Sequence, residues 1–385
     1  MSGGRKYTAG IIGCGRMANL HAEAYTLVPD TQVVAAADID PDKLDLFCER
    51  WSVPQRYRSY EEMLAQADLD IVSVVTLDNL HGPATIAAAE AGARGVFCEK
   101  PMAFDLEEAD RMIAACDRAG AKLVVDHSMR FEKNFIEVKA MIQRGEIGNL
   151  RTIRANMLST DQRDPNSWHS QYVTAGGGEL MHNGTHLTDL IRFYAGDPEW
   201  VFATVERGNK AVTIEDLGAG LFRMDSGCLF FFESGGRRRY GTFEILIEGD
   251  EGRLAIQHGA RNSMGAMGGW AWGARARRPG PPPRGGLGGG GPGDPYLHRW
   301  RGRTEPVEWE PVPTQRDNAT INAVTDLVDC IENDRESISS GRQGRAALEM
   351  IMAVYESQRR GLARVDFPLE IRDNPFGDML ERGRI

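Results

Sequence analysis

The stretch "YTAGIIGCGRMANLHAEAYTLVPDTQVVAAADID", Tyr7 to Asp40, decides the fold. An apolar run ends in glycines, a helical segment follows, and a second apolar run closes on Asp38, which is the pattern of a β-α-β unit. The glycines stand as Gly13-x-Gly15-x-x-Ala18. Gly13 permits a tight turn, Gly15 lets the backbone approach a pyrophosphate, and Ala18 allows close helix packing while the helix N-terminus faces the phosphates. Asp38 follows Ala18 by roughly 20 residues, where an acid that accepts hydrogen bonds from an adenosine ribose is expected. Strand, glycine turn, helix and acid together predict a dinucleotide site, with Arg16 and Met17 on the same turn. A 2′-phosphate would meet the negative charge of Asp38 and then of Asp40 and Asp42, so NAD is expected in preference to NADP.

The alternation continues from Asp68 to Phe131, "DLDIVSVVTLDNLHGPATIAAAEAGARGVFCEKPMAFDLEEADRMIAACDRAGAKLVVDHSMRF". Ile71 to Val75, Gly95 to Cys98 and Lys122 to Val125 read as short buried strands. Gly82 to Ala91 reads as a helix stopped by Gly92, and Asp105 caps another that ends near Gly120. Residues 1–126 therefore predict a doubly wound parallel sheet of the Rossmann type, with ligands at the carboxyl ends of its strands.

At 385 residues the chain is long enough for a second domain with its own core. A net charge of −10 argues against a nucleic-acid or anionic membrane surface as partner and leaves small-molecule chemistry. No apolar run reaches the roughly 20 residues of a membrane span. The N-terminus lacks the sections of a signal peptide, so a cytoplasmic protein is expected. Six dispersed cysteines without a Cys-x-x-Cys pair suggest neither a disulfide scaffold nor a zinc knot.

Several segments in order resemble the Gfo/Idh/MocA oxidoreductases. Glu99-Lys100-Pro101 stands at a strand end, "TLDNLHGP" from Thr76 to Pro83 resembles the preceding cofactor loop, and "GGGELMHNGTHLTDL" from Gly176 to Leu190 resembles the second catalytic segment. "SGRQGRAALEMIMAVYESQRRG", Ser340 to Gly361, is similar to the closing helix of that family. The resemblance implies a second α/β domain, residues 127–385, built on a large, mostly antiparallel open sheet. The runs "LRTIRANML", "EWVFATVERG", "GAGLFRM", "CLFFFES" and "TFEILIEGDEGRLAIQ" agree by their own β-branched and aromatic content. It also implies that one face of this sheet serves subunit contact, hence a homodimer or homotetramer.

Hydride transfer between a secondary alcohol and nicotinamide needs a base for the hydroxyl proton and a group that stabilises oxyanion charge. By resemblance Lys100 and His186 take these roles, while Glu99, Thr76, His81 and Arg130 line the cofactor cleft. His182 is a departure: most resembling dehydrogenases carry an acid four residues before the histidine. Residues four apart share a helix face, so His182 and His186 are expected to look into one cleft together. Without a carboxylate on that turn, and with Lys100 nearby, His186 is expected to stay neutral and act as the base. His182, with Asn183 beside it, is expected to bind substrate or tune its neighbours, and Trp168 and His169 are expected to form a stacking wall. A zinc reading of His182-x-x-x-His186 lacks the Glu of a metalloprotease motif, and Asp189, three residues beyond His186, could equally cap or orient the imidazole, so no metal is expected.

Residues 259–293 are rich in glycine, proline and arginine and cannot supply a core, so a loop is expected there. The first functional expectation is NAD-dependent hydride transfer on a sugar, cyclitol or related polyol. Two alternatives are a redox-neutral NAD-dependent sugar hydrolase or eliminase, and a non-catalytic sensor of nucleotide or sugar.

Overall fold

The computed structural model describes residues 7–160, 164–236, 241–258, 295–299, 309–314 and 317–385. The expected loop at 259–293 lies outside the described residues. The first sheet is formed by β1 (Tyr7–Ile12), β2 (Thr31–Ala37), β3 (Gln55–Tyr57), β4 (Ile71–Val74), β5 (Gly95–Cys98) and β6 (Lys122–Val125). All its pairs are parallel, in the order β3-β2-β1-β4-β5-β6. Helices α1 (Ala18–Leu27), α2 (Pro41–Trp51), α3 (Tyr60–Gln66), α4 (His81–Glu90) and α5 (Leu106–Ala119) alternate with the strands. β4 and β5 are buried along their whole length, as expected of short apolar strands covered on both faces. The winding reverses between β1 and β4, which opens a crevice at their carboxyl ends. Local chemistry marks the helix ends: the Asp40 and Asp105 carboxylates accept backbone N–H groups of α2 and α5, and Gly120 at φ 68° closes α5.

After α6 (Lys133–Gln143) the chain enters the second sheet at β7 (Leu150–Leu158). Helices α7 (Tyr172–Ala175) and α8 (Thr185–Ala195) come next, followed by β8 (Pro198–Glu206), β9 (Leu217–Met224), β10 (Leu229–Gly235), β11 (Thr242–Gly249), β12 (Gly252–His258), β13 (Pro295–Arg299) and β14 (Glu310–Pro311). Helices α9 (Ala319–Asn333) and α10 (Gly341–Arg359), strand β15 (Val365–Asp366) and helix α11 (Pro375–Glu381) complete the chain. The nine strands run β14-β13-β12-β11-β7-β10-β9-β8-β15, antiparallel except for the parallel pair β7–β10. One face packs on α8 and α10, and the other leaves Phe202 43% and Phe231 37% exposed. This is the large, mostly antiparallel sheet that the sequence suggests.

Helix α9 departs from the expected division at residue 126. Its Ala319, Ala323, Val324 and Leu327 lie in one core with Ile11, Phe97 and Val124 of the first sheet, and the helix packs on α1, β5 and β6. The periodicity of a helix reveals that it has a face to bury, not which distant surface will cover it.

Candidate active site

Gly13 follows β1 at φ 92°, and a Cβ there would sit 2.4 Å from the Val75 carbonyl oxygen. A Cβ on Gly15 would have nothing within 4 Å, so the ground over the start of α1 is open. Asp38 accepts the Cys14 and Asp40 backbone N–H groups at 2.7 and 2.8 Å, one on each carboxylate oxygen. Each oxygen keeps a further lone pair for a ribose hydroxyl. Bare backbone, a helix N-terminus and a fixed carboxylate fit a dinucleotide, with Arg16 and Met17 on the intervening turn.

At the adjoining strand ends, Thr76 follows β4 and donates to the Leu77 carbonyl at 3.1 Å. His81 opens α4, buried, and its Nδ1 lies 2.7 Å from the Pro101 carbonyl, which ties the cofactor loop to the turn after β5. Burial first of all lowers its pKa. Glu99 directly follows β5, and its carboxylate accepts the Lys100 backbone N–H at 3.2 Å. Beneath it lies a group that sequence reading did not single out. The buried His21 ring is 3.3 Å from Glu99 and 3.7 Å from Asp126, with Ser73 at 3.2 Å on its other nitrogen. Burial disfavours charge on this ring, but the Asp126 and Glu99 carboxylates outweigh it and raise the His21 pKa to about 9. The ligand atoms of these three side chains lie within 4.8 Å of one another, a spacing that would suit a metal ion.

Lys100 reaches from the first sheet into the second domain and donates through Nζ to the His182 carbonyl at 3.1 Å. His182 lies in a π-helical turn, Leu180–Gly184, that leads directly into α8, where His186 occupies the first turn. A wide turn of this kind is common at functional sites. His186 is buried, and its pKa falls well below the ordinary histidine value through burial, the Lys100 charge and His127. His127, also buried and likewise lowered by burial, meets it edge-on at 6.4 Å.

The start of this segment is held from below. Glu215, fully buried just before β9, accepts the backbone N–H groups of Gly178, Leu180 and Met181 at 2.5, 2.9 and 3.4 Å. Burial raises its carboxyl to about 7. A carboxylate at a helix start satisfies donors that have no partner within the helix. Asn183 donates to Glu179. Trp168 and His169 stack at 3.4 Å and present their rings to His182 at 6.3 and 5.6 Å.

Two findings differ from the sequence expectation. Arg130 is buried, with Nε donating to Asp189 at 2.7 Å and other donors meeting the Ile338 and Asp189 carbonyls. Its guanidinium therefore anchors α8 rather than reaching toward a cofactor, and Asp189 pairs with it. A carboxylate does stand beside His182: Asp78 Oδ2 of the cofactor loop is 3.3 Å from Nε2. The sequence placed no acid near His182 because Asp78 is brought there only by folding.

Family models match both halves of this arrangement. Residues 7–127 match the model described as the oxidoreductase family with an NAD-binding Rossmann fold, and 135–255 match the GFO/IDH/MocA C-terminal domain. The chain belongs to the Gfo/Idh/MocA family. Among members of this family, a myo-inositol 2-dehydrogenase of Thermotoga maritima is 31% identical over 64% of this chain and 73% of its own. A D-apiose dehydrogenase of Paraburkholderia graminis is 25% identical over 93% and 89%. The crystal structure of an aldose-aldose oxidoreductase from Caulobacter crescentus superposes with a TM-score of 0.76 at 26% identity, over 94% of this chain and 100% of that one. This Gfo/Idh/MocA chain is thus an oxidoreductase with an NAD-binding Rossmann domain. No helix among the described residues is long and apolar enough to cross a membrane.

Proposed function

We propose that the protein is an NAD-dependent dehydrogenase or reductase that passes a hydride between nicotinamide and a secondary alcohol of a sugar, cyclitol or related polyol. Bound nicotinamide supplies the hydride acceptor or donor. The observation that carries this reading is the meeting of Lys100 with the His182–His186 segment: the ammonium grips the His182 carbonyl at 3.1 Å and helps to keep the His186 ring uncharged. In the oxidative direction the hydroxyl proton passes to neutral His186, while the donors of Lys100 that remain stabilise the developing alkoxide. In reduction the same groups return the proton. Trp168 and His169 offer a stacked aromatic surface to an apolar sugar face, and His182 with Asn183 offers polar contacts. Asp38 favours NAD over NADP through charge repulsion of a 2′-phosphate. Relatives named for myo-inositol and D-apiose support the substrate class.

Purified protein with NAD or NADP against inositols, aldoses and sugar glycosides is expected to form reduced nicotinamide with a member of the panel. Lys100→Met should lower kcat by about 100-fold or more while NADH fluorescence still reports binding. Silence across the panel in both directions from protein that binds NADH would overturn net hydride exchange in favour of a redox-neutral reaction.

We also infer a homodimer or homotetramer that uses the outer sheet face. Phe202, Leu221 and Phe231 lie in register across β8, β9 and β10, an apolar row that a subunit contact would cover. Sedimentation at micromolar concentration should return at least twice the 42.5 kDa chain mass.

A further inference from the structure

Asp78 and His182 come from different domains and have no counterpart in the proton-transfer scheme above. Asp78 sits at the carboxyl edge of the Rossmann sheet, in the single turn Asp78–Leu80 between β4 and α4, and is 3% exposed. His182 is 7% exposed in the turn that precedes α8. Their contact at 3.3 Å is an ion-pair distance across the domain junction. The first domain therefore meets His182 at two points: Lys100 donates to its carbonyl, and Asp78 stands within ion-pair distance of its ring. Glu215 fixes the backbone just ahead of it. The titratable groups about the ring are Asp78 on the cofactor loop, His169 at 5.6 Å on the loop before α7, Lys100 at the carbonyl, and His186 one turn onward.

We propose that Asp78 is a positioning residue for the reaction: by holding the His182 ring from the cofactor loop, it locks the turn against which Lys100 is aligned. A carboxylate and an imidazole buried side by side are costly to separate, since removing either leaves the other buried without its charge partner. The lock also fixes the distance between the cofactor loop and the segment bearing His186. Small displacements between reacting groups of this kind reduce turnover more than ground-state binding. This inference rests on the hydride-transfer reading above.

The test is a set of variants: Asp78→Asn, His182→Gln, the two combined, and the exchange Asp78→His with His182→Asp. Thermal unfolding midpoints need no substrate, and the combined variant should lose no more than the worse single one. With substrate, each single variant should lower kcat about 10- to 100-fold, leave NADH affinity within about twofold, and the exchange should recover at least tenfold of that loss. Additive losses of stability would overturn the pairing. Coupled stability with unchanged kcat, or an exchange no better than the singles, would reduce Asp78 to a structural tie and overturn the positioning role. Failure of the hydride reading looks different, because wild type itself would then be silent while still binding NADH, and the positioning role would fall with it.

Discussion

Gly176, Gly177 and Gly178 are each barred from carrying a side chain by a different neighbour. Gly176 takes φ 67° against the Phe104 ring, a Cβ on Gly177 would lie 2.4 Å from the Tyr355 hydroxyl, and one on Gly178 would lie 1.9 Å from the Glu215 carbonyl oxygen. The glycine run is therefore the imprint of a close approach of this segment to Phe104, to Tyr355 of α10 and to Glu215 just before β9. Gly178→Ala should push the turn off Glu215, costing about 2 kcal/mol or more as an overpacked contact. Its unfolding midpoint should fall and kcat with it; an unaltered midpoint and kcat would mean that the turn yields freely. Lys100 and His186 could be singled out in the sequence because each stands in a distinctive local context. Asp78, His21, Asp126 and Glu215 could not, since an acid in "TLDNLHGP" or "TIEDL" carries no mark of the group it will face. Asp78 nonetheless lay within a segment already read as a cofactor loop, and that position was the available signal.

Helix α9 shows what an element's pattern conveys and what it leaves open. Asn318 caps it by accepting the Thr320 and Ile321 backbone N–H groups, and Asp334 at φ 49° ends it, so its boundaries are set locally. Its destination is not local, because the Leu327 face packs on the Rossmann strands rather than on the sheet that precedes it in sequence. A Cβ on Gly95 of β5 would come within 2.9 Å of the Leu327 side chain, so helix and strand meet without slack. Leu327→Ala should cost about 3 kcal/mol through the cavity it leaves. Because that cavity adjoins β5 and β6, NADH affinity should weaken along with the unfolding midpoint. A loss of midpoint with NADH affinity intact would show that the nucleotide site tolerates movement of α9. The π-helical turn before α8 was likewise beyond the pattern, since apolar spacing in a five-residue segment does not distinguish a wide turn from an ordinary one.

Across the whole molecule, buried titratable groups set how stability depends on pH. Burial raises Glu215 to about 7, and burial with the nearby Asp317 raises Glu132 to about 8. At His21 burial opposes the charge, but Asp126 and Glu99 prevail and raise it to about 9. In each case the folded protein holds a proton that the unfolded chain has begun to release, so the stabilisation fades as pH rises through the folded value. His81, His127 and His186 act in the other direction: their lowered values make the fold lose stability as pH drops below the ordinary histidine range. Among the described residues, Glu215, Glu132 and His21 lose their protons between pH 6.5 and 9, so the unfolding midpoint should fall across that window. Calorimetry at fixed ionic strength checks this, and a flat or rising midpoint would contradict the protonated His21 cluster. The sequence by itself determined the Rossmann half, the dinucleotide turn and the strand-rich second half, because glycine spacing, caps and hydrophobic period act over a few residues, while Lys100 and His186 became candidates through the resemblance of their short motifs to those of a family. Tertiary structure alone decided that α9 completes the first domain, that Arg130 is spent on Asp189, and that Asp78 faces His182. Those contacts join residues far apart in the chain, and their free energy depends on burial and distance that arise only once both domains have packed.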